Sequence, residues 1–300
     1  MNTLDEPMVA KQQKNNTSPW AIARRKFLQN KLAMISLCFL LFVIIMSFLA
    51  PYITTTDISR VNVGESGIAP SSEHWLGTDN GGRDVYTRLL YGGRVSLMVG
   101  ISVTILVISF GTLIGSVAGY FGGIVDSILM RFTDFVLNFP FLVFVIVIGA
   151  IFFGSVSGVW VLISVISALS WGGIARIVRS KILAEKENEY ILAARSIGTH
   201  SSKIIMKHLL PNVLSVIIVQ ATLTFAGMIV AEAALSFLGF GVPQEIPSWG
   251  NMLTTANQSD VLQNKPWIWM PPALAITITI LAINFIGEGL KDAFNPTSTR

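Results

Sequence analysis

Residues 32–50 read LAMISLCFLLFVIIMSFLA, nineteen positions from Leu32 to Ala50 without a charge, preceded by Lys31 and closed by Pro51. An α-helix needs about 20 such residues to cross the hydrocarbon core of a bilayer. The same pattern recurs on working outward from this stretch. No Asp, Glu, Lys or Arg lies between Arg94 and Asp126, where the apolar part runs Val95–Tyr120. None lies between Asp134 and Arg176, a stretch that fits two spans with Gly154–Gly158 (GSVSG) as the turn between them. Two more runs extend from His208 to Ala231 and from Pro266 to Gly287. Six membrane spans are predicted.

Composition agrees. Only 13% of the 300 residues are charged, against roughly 25% in soluble domains. The single cysteine, Cys38, excludes a disulfide scaffold. Leu32–Ala50 is longer than the roughly 7–15 apolar residues of a secretory signal, which favours an uncleaved span. Ahead of it, Ser18-Pro19 reads as a helix start. Trp20, Ile22, Phe27 and Leu28 then alternate with Arg24, Arg25 and Lys26, the mixture of a short helix on the inner leaflet facing anionic lipid. The net charge of +4 is therefore assigned to a lipid surface and not to nucleic acid.

Orientation follows from the basic residues. Placing the N-terminus inside puts Lys11, Lys14, Arg24, Arg25, Lys26 and Lys31 in the cytoplasm. Arg131, Arg176, Arg179, Lys181, Lys186, Arg195, Lys203, Lys207, Lys291 and Arg300 join them, leaving outside only Arg60, Arg83, Arg88, Arg94 and Lys265 of the 21. Both termini are expected to be cytoplasmic.

Two connections carry information. The first external loop, Pro51–Arg94, is long for a compact membrane domain. It contains His74-Trp75-Leu76-Gly77-Thr78-Asp79-Asn80-Gly81-Gly82-Arg83-Asp84, whose glycines call for tight turns. No closing glutamate supports a calcium loop, and no Gly-Lys-Ser/Thr supports a phosphate cradle. A structured cap and a partner-docking surface both fit. The cytoplasmic stretch Arg176–Pro211 is helical by pattern: Tyr190, Ala193, Ala194 and Ile197 share one helix face, Gly198 stops the helix, and Thr199 or Ser201 is expected to cap a second one. Two alanines at the tip would let another backbone approach closely. A docking surface and a loop packed on its own bundle are both consistent with this.

Ala193-Ala194, Gly198 and Leu210-Pro211 resemble the EAA signature of ABC-importer permease subunits. The signature's glutamate position holds Leu192, and His208 stands where isoleucine is usual; both departures are similar to the peptide branch of that family. The stretch His74–Asp84 with Arg88-Leu89-Leu90-Tyr91-Gly92 is similar to the C-type permease of dipeptide and oligopeptide importers. So are Leu235–Gly241, Pro247-Ser248-Trp249-Gly250 and Asn284–Ala293, and with Arg24–Met34 the resemblance covers almost the whole chain.

The resemblance implies an all-α integral membrane protein with six transmembrane helices, a type-1 importer permease core preceded by one extra span. Its parts would be a basic tail with an interfacial helix (1–31), a first span (32–50), an external loop (51–94), a five-span core (95–288) with coupling loop 176–211, and a tail (289–300). It implies a bacterial inner-membrane complex with a homologous second permease, two cytoplasmic ATP-binding subunits and an external substrate-binding protein. ATP and Mg would sit on the ATPases, with no cofactor in this chain. The coupling residues would be Tyr190, Ala193, Ala194, Arg195, Gly198, His208, Leu210 and Pro211, with Trp75, Asp79, Arg83 and Asp84 as external docking candidates.

Glu232 is an acid inside a long apolar run, near the outer end of the fifth span, with Met228 and Phe225 one and two turns before it. It reads either as a pathway or gate residue or as a structural acid bonded to a neighbouring helix. Pro140 should kink or start the third span, and Pro271-Pro272 should stand near the outer start of the sixth. The histidines His74, His200 and His208 are too scattered for a metal site, and the chain shows neither a catalytic triad nor a nucleotide-binding motif, so no enzyme activity is expected. The substrate implied is a di- or oligopeptide. Nickel or another small solute is the alternative within the family, and an ion-coupled secondary transporter the alternative outside it.

Overall fold

The structure is a computed structural model that describes residues 19–54, 58, 61–152 and 158–295. These residues form helices and connections and no β-strand. At the N-terminal end, α1 (Pro19–Gln29) is followed by α2 (Lys31–Phe48), whose start is capped by the Asn30 side chain accepting from the Ala33 N–H at 3.1 Å. A short α3 (Ala50–Ile53) ends the first span. The long α4 (Val85–Phe121) comes next, then α5 (Gly123–Leu137) and α6 (Phe141–Phe152). The turn expected at Gly154–Gly158 lies, but for Gly158, outside the described residues; α7 (Gly158–Ser170) and α8 (Gly172–Glu185) follow. The segment after them forms α9 (Glu189–Ser196) and α10 (Ser201–Ile204), which runs through a π turn at 205–209 into α11 (Leu210–Phe237). Small helices α12 (Trp249–Leu253) and α13 (Ser259–Asn264) precede α14 (Pro266–Phe294).

Among the described residues, four uninterrupted helical stretches are long and apolar enough to cross a membrane, and counting each of two bent pairs as one span gives six. The bent pairs are α5 with α6, at 79°, and α7 with α8, at 41°. Alone, α6 and α7 would reach only about 20 Å, short of a core about 30 Å thick. Pro140 starts α6 after the break, because its ring and missing N–H cannot continue α5.

Several boundaries differ from expectation, each for a local reason. Val85–Arg94, placed in the external loop, is the first part of α4, because Asp84 caps that helix by accepting from the Thr87 N–H at 2.7 Å. The fifth span begins at Ser201 instead of His208, because the π turn absorbs Pro211, whose ring would otherwise press on the Lys207 carbonyl one turn back. The sixth extends to Phe294 with Pro271 and Pro272 inside it, a turn or more past its start. The second helix of the cytoplasmic segment is capped by His200, whose Nδ1 accepts from the Ser202 N–H at 3.4 Å, and not by Thr199 or Ser201.

Packing has two centres. One joins α4, α7, α8, α9 and α11 through Val103, Val107, Ile166, Ile182, Ile191 and Val213. The other joins α4, α11, α12 and α14 through Leu97, Ile229, Trp249 and Ile283. Three glycines, Gly111, Gly115 and Gly119, form a column on α4 that faces α8. A Cβ on Gly111 would stand 2.6 Å from the Ile174 Cβ, and one on Gly119 would stand 2.9 Å from the Arg179 carbonyl. Small residues every fourth position let two helices touch backbone to backbone, which is how helices hold together where lipid offers no hydrophobic drive.

Candidate functional site

The segment expected to be cytoplasmic is an elbow. Helix α9 ends in a left-handed Gly198 with φ +77°, after which Thr199 N–H donates to the Ala194 carbonyl at 3.0 Å and closes the turn. The elbow is tied to the spans on both sides. Tyr190 O–H donates to Glu185 at the end of α8 at 3.0 Å and accepts from Asn212 Nδ2 at the start of α11 at 2.7 Å. Burial first, then the bond to Glu185, raises the pKa of that hydroxyl and keeps it a donor. Asn212 Nδ2 also donates to the His208 carbonyl at 2.9 Å, while Leu210 packs partly into the core beside the exposed Pro211.

The expected exposed pair of alanines is split. Ala193 is exposed, but Ala194 is 8% exposed and lies with Ile191 against the bundle. The reason is helical phase: Ile191 and Ala194, three residues apart, share the inner face. Outward stand the apolar Leu192, Met206 and an 82% exposed Ile197, among exposed polar residues such as Ser196, His200 and Lys203. Arg195, among the residues expected in the coupling loop, lies over the Tyr120 ring at 4.7 Å.

Glu232 is fully buried. Ser96 Oγ on α4 donates to its Oε2 at 2.8 Å, and Ser236 Oγ, one turn on, donates to its Oε1 at 2.8 Å. Both serines also accept backbone N–H groups, Ser96 from Trp249 and Ser236 from Val242, each at 3.1 Å. The carboxylate thereby pins the returning segment 238–249 to α4 and α11. Met228 and Phe225 are half-buried; Phe225 packs across Gly100 on α4. These contacts give Glu232 a structural task, and the pathway reading finds no support in them.

At the opposite end, Asp79 accepts from the N–H groups of Gly81 at 2.8 Å and Arg83 at 3.0 Å, and from Arg83 Nε at 2.8 Å. Buried Arg88 stands 3.7 Å away. Asp84, besides capping α4, pairs with His74 Nδ1 at 2.9 Å. Asp79 and Asp84 are thus buried inside the outer cap, and Arg83 is engaged with Asp79, so three of the four docking candidates serve the cap itself. Trp75 is the exception, 67% exposed and tilted against Tyr86 beside a cavity of about 230 Å³. No group of three His, Cys, Asp or Glu able to hold a metal occurs among the described residues.

Residues 111–300 match the family described as binding-protein-dependent transport system inner membrane component, and residues 18–70 match the N-terminal transmembrane domain of oligopeptide transport permease C. The chain belongs to this permease family. It is 40% identical to the dipeptide transport system permease protein DppC of Bacillus subtilis, over 93% of this chain and 86% of that protein. It is 39% identical to DppC of Alkalihalophilus pseudofirmus, over 93% and 90%. It is 38% identical to the oligopeptide transport system permease protein OppC of Lactococcus lactis, over 95% and 97%.

In this permease, sequence reading missed the partners of the residues it singled out. Ser236 was within reach, since it follows Glu232 by one helical turn; Ser96, 136 residues away, carried no local signal. The glycine column was legible as a spacing of four. Tyr120 was concealed as the last residue of an apolar run.

Proposed function

We propose that this permease forms one half of an ATP-driven import path for di- or oligopeptides, with its elbow α9–Gly198–α10 seated on a cytoplasmic ATPase. The reading rests on the elbow: exposed apolar side chains, Leu192, Ile197 and Met206, carried by a segment that is hydrogen-bonded to spans on both sides. Such a surface fits a cleft on a soluble subunit, and its bonds to α8 and α11 carry a push into the membrane. The relatives named as dipeptide and oligopeptide permeases supply the substrate class. A second, homologous permease would complete the path, an external binding protein would deliver peptide near Trp75, and ATP with Mg would stay on the ATPases.

Purification from native membranes, with a photo-crosslinker in place of Ile197, tests the elbow. An ATP-binding protein should be captured, and Gly198→Asp should abolish the capture. Uptake by proteoliposomes of the complex then tests the substrate. Import of a labelled dipeptide or pentapeptide supports the reading, whereas nickel uptake without peptide uptake overturns the peptide assignment.

A further inference from the structure

We infer that Tyr120, next to last in α4, is a positioning residue that clamps both arms of the elbow and carries load from the elbow into α4. The inference rests on the reading of α9–α10 as the ATPase-facing loop. The Tyr120 side chain is 7% exposed. The Arg195 guanidinium, on the arm before Gly198, lies over its ring at 4.7 Å. Its hydroxyl reaches Ser201 Oγ, the first residue of the arm after Gly198, at 3.3 Å. One side chain therefore holds the two sides of the turn with two different interactions.

Ile191 and Ala194 on one arm and Ile204 on the other bury their side chains in the bundle, and the Thr199 N–H closes the turn on the Ala194 carbonyl. The bend itself is bare: among the described residues, a Cβ on Gly198 would meet nothing within 4 Å, so polar contacts between the two arms run through Tyr120. The base under Tyr120 is firm by contrast. Gly115 and Gly119 bring α4 into backbone contact with α8, and Lys186 Nζ donates to the Gly119 carbonyl at 3.1 Å. A push on α9 then reaches α8 and α11 through Tyr190 and its partners Glu185 and Asn212, and reaches α4 through Tyr120. Without the clamp, the elbow can swing while the spans stay put, and hydrolysis would run ahead of transport.

Two measurements test this in the Cys38→Ala background. The first is the ratio of substrate imported to ATP hydrolysed by the reconstituted complex. Tyr120→Leu should lower that ratio about two- to fivefold, the weight of one exposed cation–π contact on an equilibrium. Tyr120→Phe, which keeps the ring contact to Arg195 and loses the hydroxyl contact to Ser201, should fall between wild type and Tyr120→Leu; Arg195→Gln should also lower the ratio, and Arg195→Lys should restore it. A merely structural residue would lower uptake and hydrolysis together and leave the ratio unchanged, and that result overturns the inference.

The second measurement needs no substrate. Spin labels replacing the exposed Ile124 and Ile197 should report a broader distance distribution in Tyr120→Leu and Arg195→Gln than in wild type, with Tyr120→Phe in between. Equal widths overturn the clamp. If Tyr120→Leu does not assemble, Arg195→Gln, altered at an exposed position, decides it. A wild-type complex that imports no peptide refutes the proposed substrate alone, and the label widths still judge the clamp.

Discussion

A buried acid and an unpacked glycine define what single residues contribute. Glu232 receives two serine hydroxyls, and each serine in turn receives a backbone N–H from the segment that folds back between α11 and α12. Truncating it leaves a cavity and two unpaired hydroxyls, so Glu232→Ala should destabilise the permease by about 2–4 kcal/mol. Glu232→Gln keeps an acceptor and the volume and should cost only about 1 kcal/mol. Thermal unfolding in detergent checks the order. Abolished uptake by Glu232→Gln at an unchanged melting temperature would instead make it a pathway residue. Gly198 poses the opposite case, since space is free but φ is +77°. A Cβ there costs roughly 1–2 kcal/mol from backbone strain, and Gly198→Asn, which tolerates this conformation, should do better than Gly198→Val. Uptake that falls further than this strain accounts for would come from contact with the ATPase.

Among elements, α4 and α8 meet backbone to backbone, and the glycine column makes it possible. Gly115→Val would push its side chain into the Ala175 carbonyl and the Val178 side chain. Overpacking of this kind costs about 1–3 kcal/mol, and here it also separates the helix carrying Tyr120 from the helix leading to α9. Gly123→Asp, with positive φ but no neighbour within 4 Å, is the matched control. The expected outcome is a lower melting temperature and poor assembly for Gly115→Val, with a milder effect for Gly123→Asp; equal behaviour of the two would remove the column's role. The helices themselves were legible in the sequence because absence of charge marks a span directly. Their ends and bends were less so. Asp84 and His200 cap helices through side-chain bonds that hydropathy does not register, and the 79° bend at Asn138–Pro140 has an angle that no periodicity encodes. The split of Ala193 from Ala194 was legible only once Ile191 was known to face inward.

Across the whole molecule, contacts sort the chain into two ends. Lys26 Nζ donates to the Asn295 carbonyl at 3.3 Å, and Trp20, Pro211, Asn212 and Phe294 line one cavity of about 420 Å³. The described parts of both termini therefore stand at the same end as the elbow. At the other end, Asn80 donates to Gln258 at 2.6 Å, and Gly77 packs on Trp267, so the cap before α4 rests on the connection into α14. We propose that the elbow's end faces the cytoplasm: sixteen of the 21 Lys and Arg belong to the tails and the segments expected on that side, and basic residues near the ends of spans favour the cytoplasmic side. In the Cys38→Ala background, a cysteine replacing the exposed Trp75 should react with a membrane-impermeant maleimide on intact cells. One replacing Ile197 should react only after permeabilisation, because the elbow must be within reach of ATP-hydrolysing subunits. The two positions must also exchange together, since both are fixed to the same rigid α4. Labelling at 197 and not at 75 from outside would invert the topology and remove the import mechanism with it, and labelling at both would mean that α4 does not cross the membrane.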